Sequence, residues 1–236
     1  MQWFQRAIQR ARDEHDLLAL CFACADYGGN YSFVGDVQVA LAHAQQGVEI
    51  AEKAGRASTR AYAYAQLARA YLRVGSYAEA VASSARSIET IRRSHTVLEF
   101  EPYAAAPLAE AYAYIGESDR ALRTAEESVT GAQRRCVGML PFAQLAMARV
   151  LLRTKGPEAR GPIEAVLGEL SRLARTTKMK TFEPLVCVER AELARLSGDD
   201  ATRTRELRQA HQLFMEIGAP IRAAEVAKEL GLSASA

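Results

Sequence analysis

The sequence predicts an all-α solenoid of about five helix pairs with a period of about 40 residues. Two observations predict it. Glycine recurs at Gly35, Gly75, Gly116, Gly156 and Gly198, at spacings of 40, 41, 40 and 42, each between two Ala-rich apolar stretches. No Ser/Gly/Pro-rich linker and no low-complexity tract interrupts the 236 residues. A fixed period in this range marks an array of supersecondary units that bury their apolar faces against one another. The chain therefore reads as one domain over 1–236.

The elements follow in order. A first helix, 2–13, carries Trp3, Phe4, Ala7, Ile8 and Ala11 as an apolar stripe at helical spacing. It has no partner in front of it, so 1–15 reads as half a repeat. Trp3, Phe4 and Ile8 are then expected either to make a homodimer contact or to be covered by an upstream repeat. Repeat one, 16–55, holds helices 16–34 and 37–54, the first weakened by Gly28–Gly29. Repeat two, 56–95, holds 57–74 and 77–93. Repeat three, 96–136, holds 99–115 and 118–134. Pro107 falls inside the first of these, removes a hydrogen bond to residue 103 and should kink it. Repeat four, 137–178, holds 140–154 and 158–175, and repeat five, 179–218, holds 182–197 and 200–217. Pro102, Pro141, Pro157, Pro184 and Pro220 fall near helix starts, where a missing N–H is tolerated. A cap, 219–236, closes the array with helix 220–230. Its Ile221, Ala224 and Leu230 are expected to dock while Arg222, Glu225, Lys228 and Glu229 face water.

The repeat motif is specific. Repeat two reads Tyr64, Leu67, Ala68, Tyr71, then Gly75 and Ala80. Repeat three reads Leu108, Ala109, Tyr112, then Gly116 and Ala121. Repeat one reads Tyr27, Gly28, Tyr31, then Gly35 and Ala40. This resembles the tetratricopeptide repeat over nearly the whole chain. Gly28, Ala68 and Ala109 would let two helices approach, Tyr31, Tyr71 and Tyr112 would fill the wedge beside them, and the turn glycines would supply positive φ. Repeat five has lost the aromatic. The resemblance implies a right-handed superhelix. The period exceeds the usual ~34, so the helices should be longer. Long Ala/Arg-rich repeats of this kind, and the ending from Leu213 to Ala227, resemble the C-terminal domains of bacterial multidomain regulators. Those join the array to a signal-transducing ATPase, a nucleotidyl cyclase or a LuxR-type DNA-binding module.

Composition narrows the function. The net charge of +2 gives no bulk attraction for nucleic acid or an anionic membrane. No apolar run nears the ~20 residues of a membrane span, and the opening Met1–Arg6 stretch does not read as a signal peptide. The few, irregularly placed cysteines suit a reduced cytoplasm. Cys21 and Cys24 have redox or zinc spacing. They sit in an apolar helical run without a second ligand pair, so they read as core. His15, His43, His95 and His211 follow no ligand spacing. Neither a phosphate-cradling P-loop nor a nucleophile elbow is present. Asp199–Asp200 reads as helix capping. Arg172, Arg175, Lys178 and Lys180 read as a solvated helix end. No metal, no cofactor and no catalysis are expected.

The resemblance also implies an inner, concave face lined by the first helix of each repeat. Its second position carries Phe22, Tyr62, Tyr103 and Phe142, and its ninth carries Arg69, Glu110, Arg149 and Glu192. Aromatic anchors beside charges of alternating sign suit a peptide. The favoured reading is a non-catalytic protein- or peptide-binding domain, the regulatory or sensor part of a larger bacterial signalling chain. Two alternatives stay open: a homo-oligomerisation scaffold, and a small-molecule effector pocket formed where Pro107 and Gly28–Gly29 distort the array.

Overall fold

The computed structural model describes residues 2–232. Met1 and residues 233–236 of the expected terminal segments lie outside the described residues. Among the described residues twelve α-helices follow one another: α1 Gln2–Asp13, α2 Leu17–Val34, α3 Val37–Ala54, α4 Ala57–Val74, α5 Tyr77–Ser94, α6 Glu101–Tyr114, α7 Ser118–Arg135, α8 Leu140–Lys155, α9 Arg160–Thr177, α10 Phe182–Leu196, α11 Asp200–Glu216 and α12 Pro220–Glu229. Short 3-10 turns, Leu98–Phe100, Val137–Met139 and Gly156–Ala159, lead into α6, α8 and α9 and take up the first residues of the helices expected at 99 and 158. No strand occurs among the described residues. Each even-numbered helix from α2 to α10 packs on the odd-numbered helix after it, and from α2 to α10 the even-numbered helices stack on one another, giving a TPR-like solenoid.

Local chemistry sets the boundaries. Asp16 accepts from the Leu18 and Ala19 amides, Asp36 from those of Gln38 and Val39, and Asp199 from that of Thr202. Each satisfies donors that the helix start leaves free. Four of the five periodic glycines have positive φ, from 57° to 85°. Gly35 differs: its φ is −127°. A side chain there would have to displace the Tyr31 ring, from which a Cβ would fall 2.0 Å. At Gly28, a Cβ would sit 2.5 Å from that of Ala44. That glycine is where α2 and α3 touch, and α2 runs through it unbroken. α6 likewise runs through Pro107, which is buried.

The core changes along the array. Near the N-terminus it is built of small side chains, with Ala40, Ala44, Ala51, Ala63 and Ala68 fully buried. At the C-terminal end it is Leu-rich, with Leu145, Leu167, Leu170, Leu185, Leu207 and Phe214 in one cluster. On α1, Ile8 and Ala11 are 4% exposed and Phe4 stacks on Tyr27 at 5.2 Å. Phe4 and Ile8 are therefore core residues against α2, and the expected dimer stripe reduces to Trp3, 79% exposed. The cap is rotated from its expected phase. Ile221 and Ala224 face outward, while Arg222, Ala223 and Val226 are buried. Arg222 turns inward because its guanidinium lies 5.2 Å over the Phe214 ring and bonds Glu225 at 2.5 Å.

The two ends of the array meet. α12 packs on α2, and Phe33 in the last turn of α2 packs against the C-terminal Leu-rich cluster. The inner face is thereby bounded on a further side and forms an open-sided cavity.

Candidate functional site

Stacking of helix pairs at a 40-residue period places equivalent residues side by side. The aromatic series becomes a continuous ladder. Ring centroids lie 5.2 Å apart for Phe22–Tyr62, 5.0 Å for Tyr103–Phe142 and 5.1 Å for Phe142–Phe182. Phe100 bridges Tyr62 and Tyr103 at 5.6 and 5.9 Å. The edge-to-face arrangement of most of these rings matches their quadrupoles. Phe182 was missed in the sequence, although it lies one period beyond Phe142.

Seven residues after each of these aromatics stands the second series: Arg69, Glu110, Arg149 and Glu189. Arg149 bonds Glu110 at 3.1 Å and Glu189 at 2.7 Å. Glu192, expected in this role, instead bonds Arg195 one turn away on its own helix and stands 40% exposed on the cavity rim. In repeat five the small residues Ala191 and Ala194 point to Glu192, three residues later than the register that Phe182 sets. Burial opposes the charge of Arg149, but the two carboxylates outweigh it and hold the guanidinium above its ordinary pKa. Two acids sharing one base leave Glu110 raised by burial despite the Arg149 partnership.

A polar network ties α2, α4 and α6 together beneath the ladder. Tyr62 and Gln66 both donate to Asp26, the latter at 3.1 Å, and Tyr103 donates to Gln66 at 2.8 Å. Gly29 makes room for Gln66, since a Cβ there would fall 1.8 Å from its Oε1. Burial raises the Asp26 carboxyl above the usual carboxylate range.

The cavity is open-sided and has a volume of about 840 Å³. Tyr103, Phe142 and Phe33 form one wall, with Arg69 between them and Pro107 and Leu145 nearby. Seven arginines and five glutamates line it. Arg69 is 6% exposed. Its guanidinium carbon lies 4.3 Å from the Phe33 centroid, 4.8 Å from Tyr103 and 4.7 Å from Phe142. Burial pushes Arg69 down to about 9, against the pull of Tyr62, Glu110 and Asp26. On the closing side, Arg73 bonds the Ser32 carbonyl at 2.9 Å and Glu225 at 3.3 Å, and Glu225 also takes Arg222.

The structure thus gathers Phe22, Tyr62, Tyr103 and Phe142 on one ladder and Arg69, Glu110 and Arg149 on one row. These side chains are largely engaged with one another. The cysteine pair is core: Cys21 bonds the Gly47 carbonyl at 3.3 Å, and burial lifts its thiol to about 12. No group of metal-ligating side chains occurs among the described residues, and no helix is long and apolar enough to cross a membrane.

No family model matches the chain, and no curated protein matches it. Among solved structures it resembles a variant of a Podosopora anserina protein provisionally assigned as a kinesin light chain with nearly identical TPR-like repeats. The TM-score is 0.50 and the identity 20%, over 89% of this chain and 96% of that one. That likeness concerns the fold.

Proposed function

We propose that the chain is a non-catalytic binding domain, the regulatory part of a larger bacterial signalling or transcriptional regulator, and that its ligand enters the central cavity. The closure of α12 onto α2 and α4 carries this reading. An extended peptide laid along the aromatic ladder would have to displace ring–ring contacts and the Arg149 ion pairs. A cavity of about 840 Å³ instead has the volume of a small-molecule site, or of one that accepts a short chain end. The long Ala/Arg-rich repeats support the regulator context, and the absence of nucleophile, metal or phosphate-loop motifs supports a non-catalytic role.

The test is thermal denaturation of the full chain against a panel of small ligands and short peptides, run in parallel on Val188→Trp. Val188 is partly exposed on the cavity wall, at the edge of the Leu-rich cluster, so the added ring narrows the cavity. A ligand that raises the Tm of the parent and leaves that of Val188→Trp unchanged supports the reading. Ligands that stabilise both chains equally would place the site elsewhere and end it.

A further inference from the structure

The inner-face charge row has a gap. Positions seven residues beyond the ladder aromatics read Gly29, Arg69, Glu110, Arg149 and Glu189. Arg149 is held by the acids on both sides of it. By the same alternation Arg69 should be held by Glu110 and by an acid at 29. Glu110 is bonded to Arg149, and position 29 has no side chain. A side chain there would have to displace the Gln66 amide, since a Cβ would meet its Oε1 at 1.8 Å. Nη1 and Nη2 of Arg69 therefore have no hydrogen-bond partner, and no carboxylate among the described residues comes within ion-pair distance. The three surrounding rings stabilise the face of the guanidinium but offer no acceptor to its N–H edge. A buried, hydrogen-bond-starved cation is a standing cost to the fold.

We infer that Arg69 anchors the oxyanion of a small-molecule ligand, a carboxylate or phosphate group, which supplies the negative charge the row lacks. The inference rests on the cavity being the binding site. Arg69 borders the cavity beside Phe33, which is only partly buried and stands outside the aromatic ladder, so a small rotation of the Phe33 ring opens the N–H edge to the ligand without breaking a ladder contact. The surroundings favour an anion. Arginines outnumber glutamates around the cavity. Arg73 lies one turn along α4 from Arg69, and Arg222, 8% exposed with its Nε unpartnered, faces the same space from α12. Glu225 alone serves both Arg73 and Arg222. An oxyanion near Arg69 neutralises charge on the α4 side of the closure. The forked guanidinium geometry suits two oxygens of one group.

The experiment uses the full chain with inorganic phosphate, succinate and the uncharged polyol erythritol, each at ionic strength matched with sodium chloride. Phosphate or succinate raises the Tm of the parent, and Arg69→Met weakens the apparent affinity about tenfold or more, as expected for a lost hydrogen bond to a charged group. Response to phosphate alone assigns a phosphoryl group, and response to succinate alone a carboxylate. Hydrogen exchange on the parent provides a readout independent of any variant: the stabilising anion should slow exchange over residues 66–73 and in α12. The inference is overturned if neither anion acts beyond matched chloride. It is equally overturned if Arg69→Met keeps the full response, or if protection falls away from α4. If Val188→Trp abolishes the response to an uncharged ligand while both anions are inert, the cavity reading stands and the oxyanion alone is lost.

Discussion

Arg73 of α4 and Glu225 of α12 meet at 3.3 Å although 152 residues of chain separate them. Arg73 holds the Ser32 carbonyl of α2 at the same time. One side chain thus joins three helices from the two ends of the array. Glu225 is 44% exposed, so the ion pair itself contributes at most about 1 kcal/mol. The packing of α12 on α2 and the contact of Phe33 with the C-terminal cluster complete the closure.

Glu225→Gln should therefore leave the stability from urea denaturation within about 1 kcal/mol of the parent. It should nonetheless quicken hydrogen exchange in α12 while leaving α6 and α8 unchanged. Uniform acceleration across the chain would mean that the joint is not local.

Among the described residues, Arg149 is the one base within ion-pair distance of both Glu110 and Glu189. Arg149→Met should cost about 3–5 kcal/mol, because Glu110 and Glu189 are left facing each other unpaired. Adding Glu110→Gln and Glu189→Gln should restore most of that loss. A triple variant as unstable as the single one would show that the packing of Arg149, rather than its charge, is what matters.

Asp26 gives a pH signature. Burial places its folded pKa above the unfolded value, against the hydrogen bonds of Tyr62 and Gln66 and the charge of Arg69. Its protonated form is the one the fold favours. The linked stability is present below the unfolded pKa, near ~3.9, and is lost as pH rises through the folded one. Asp26→Asn should melt above the parent at pH 7, and the difference should shrink as pH falls toward 4. A difference independent of pH would rule out titration of this carboxyl.

Ala68 and Ala109 are fully buried. Replacing either with Leu should overpack its helix contact and cost about 1–3 kcal/mol, measured by chemical denaturation. Two variants that unfold at the parent midpoint would mean that the contacts can yield.

Trp3 and Phe4 separate self-association from folding. Trp3→Glu removes an exposed ring and should leave the melting temperature unchanged. Phe4→Glu breaks the stack on Tyr27 and should lower it. If the chain dimerises in light scattering, Trp3→Glu alone should make it monomeric. A dimer that survives this change uses another surface.

The sequence carried the helices, their order and most of the inner face, because a 40-residue period repeats the same local chemistry. A single local cue misleads where a longer-range relation decides the structure. The Ala pattern of repeat five set Glu192 in place of Glu189, whereas the interval from Phe142 to Phe182 holds the register. Gly35 occupies a turn for the sake of the Tyr31 ring, not for its backbone angle. Arg222 on α12 looked solvent-facing by hydropathy. It is buried because Phe214 and Glu225 receive it, and no amphipathic pattern encodes that. Closure was the least legible feature of all. It depends on a small rotation summed over every helix pair, and no one repeat displays it.

Closure also restricts how the array can change. An open stack tolerates duplication or loss of an internal unit, since each unit touches only its neighbours. Here an extra helix pair between α4 and α12 would carry Glu225 past Arg73 and pull Phe33 from its seat. The number of units between the two meeting points is thereby fixed by geometry, as the number of staves fixes the girth of a barrel. Variation in this architecture should accumulate as substitutions on the lining, not as changes in copy number.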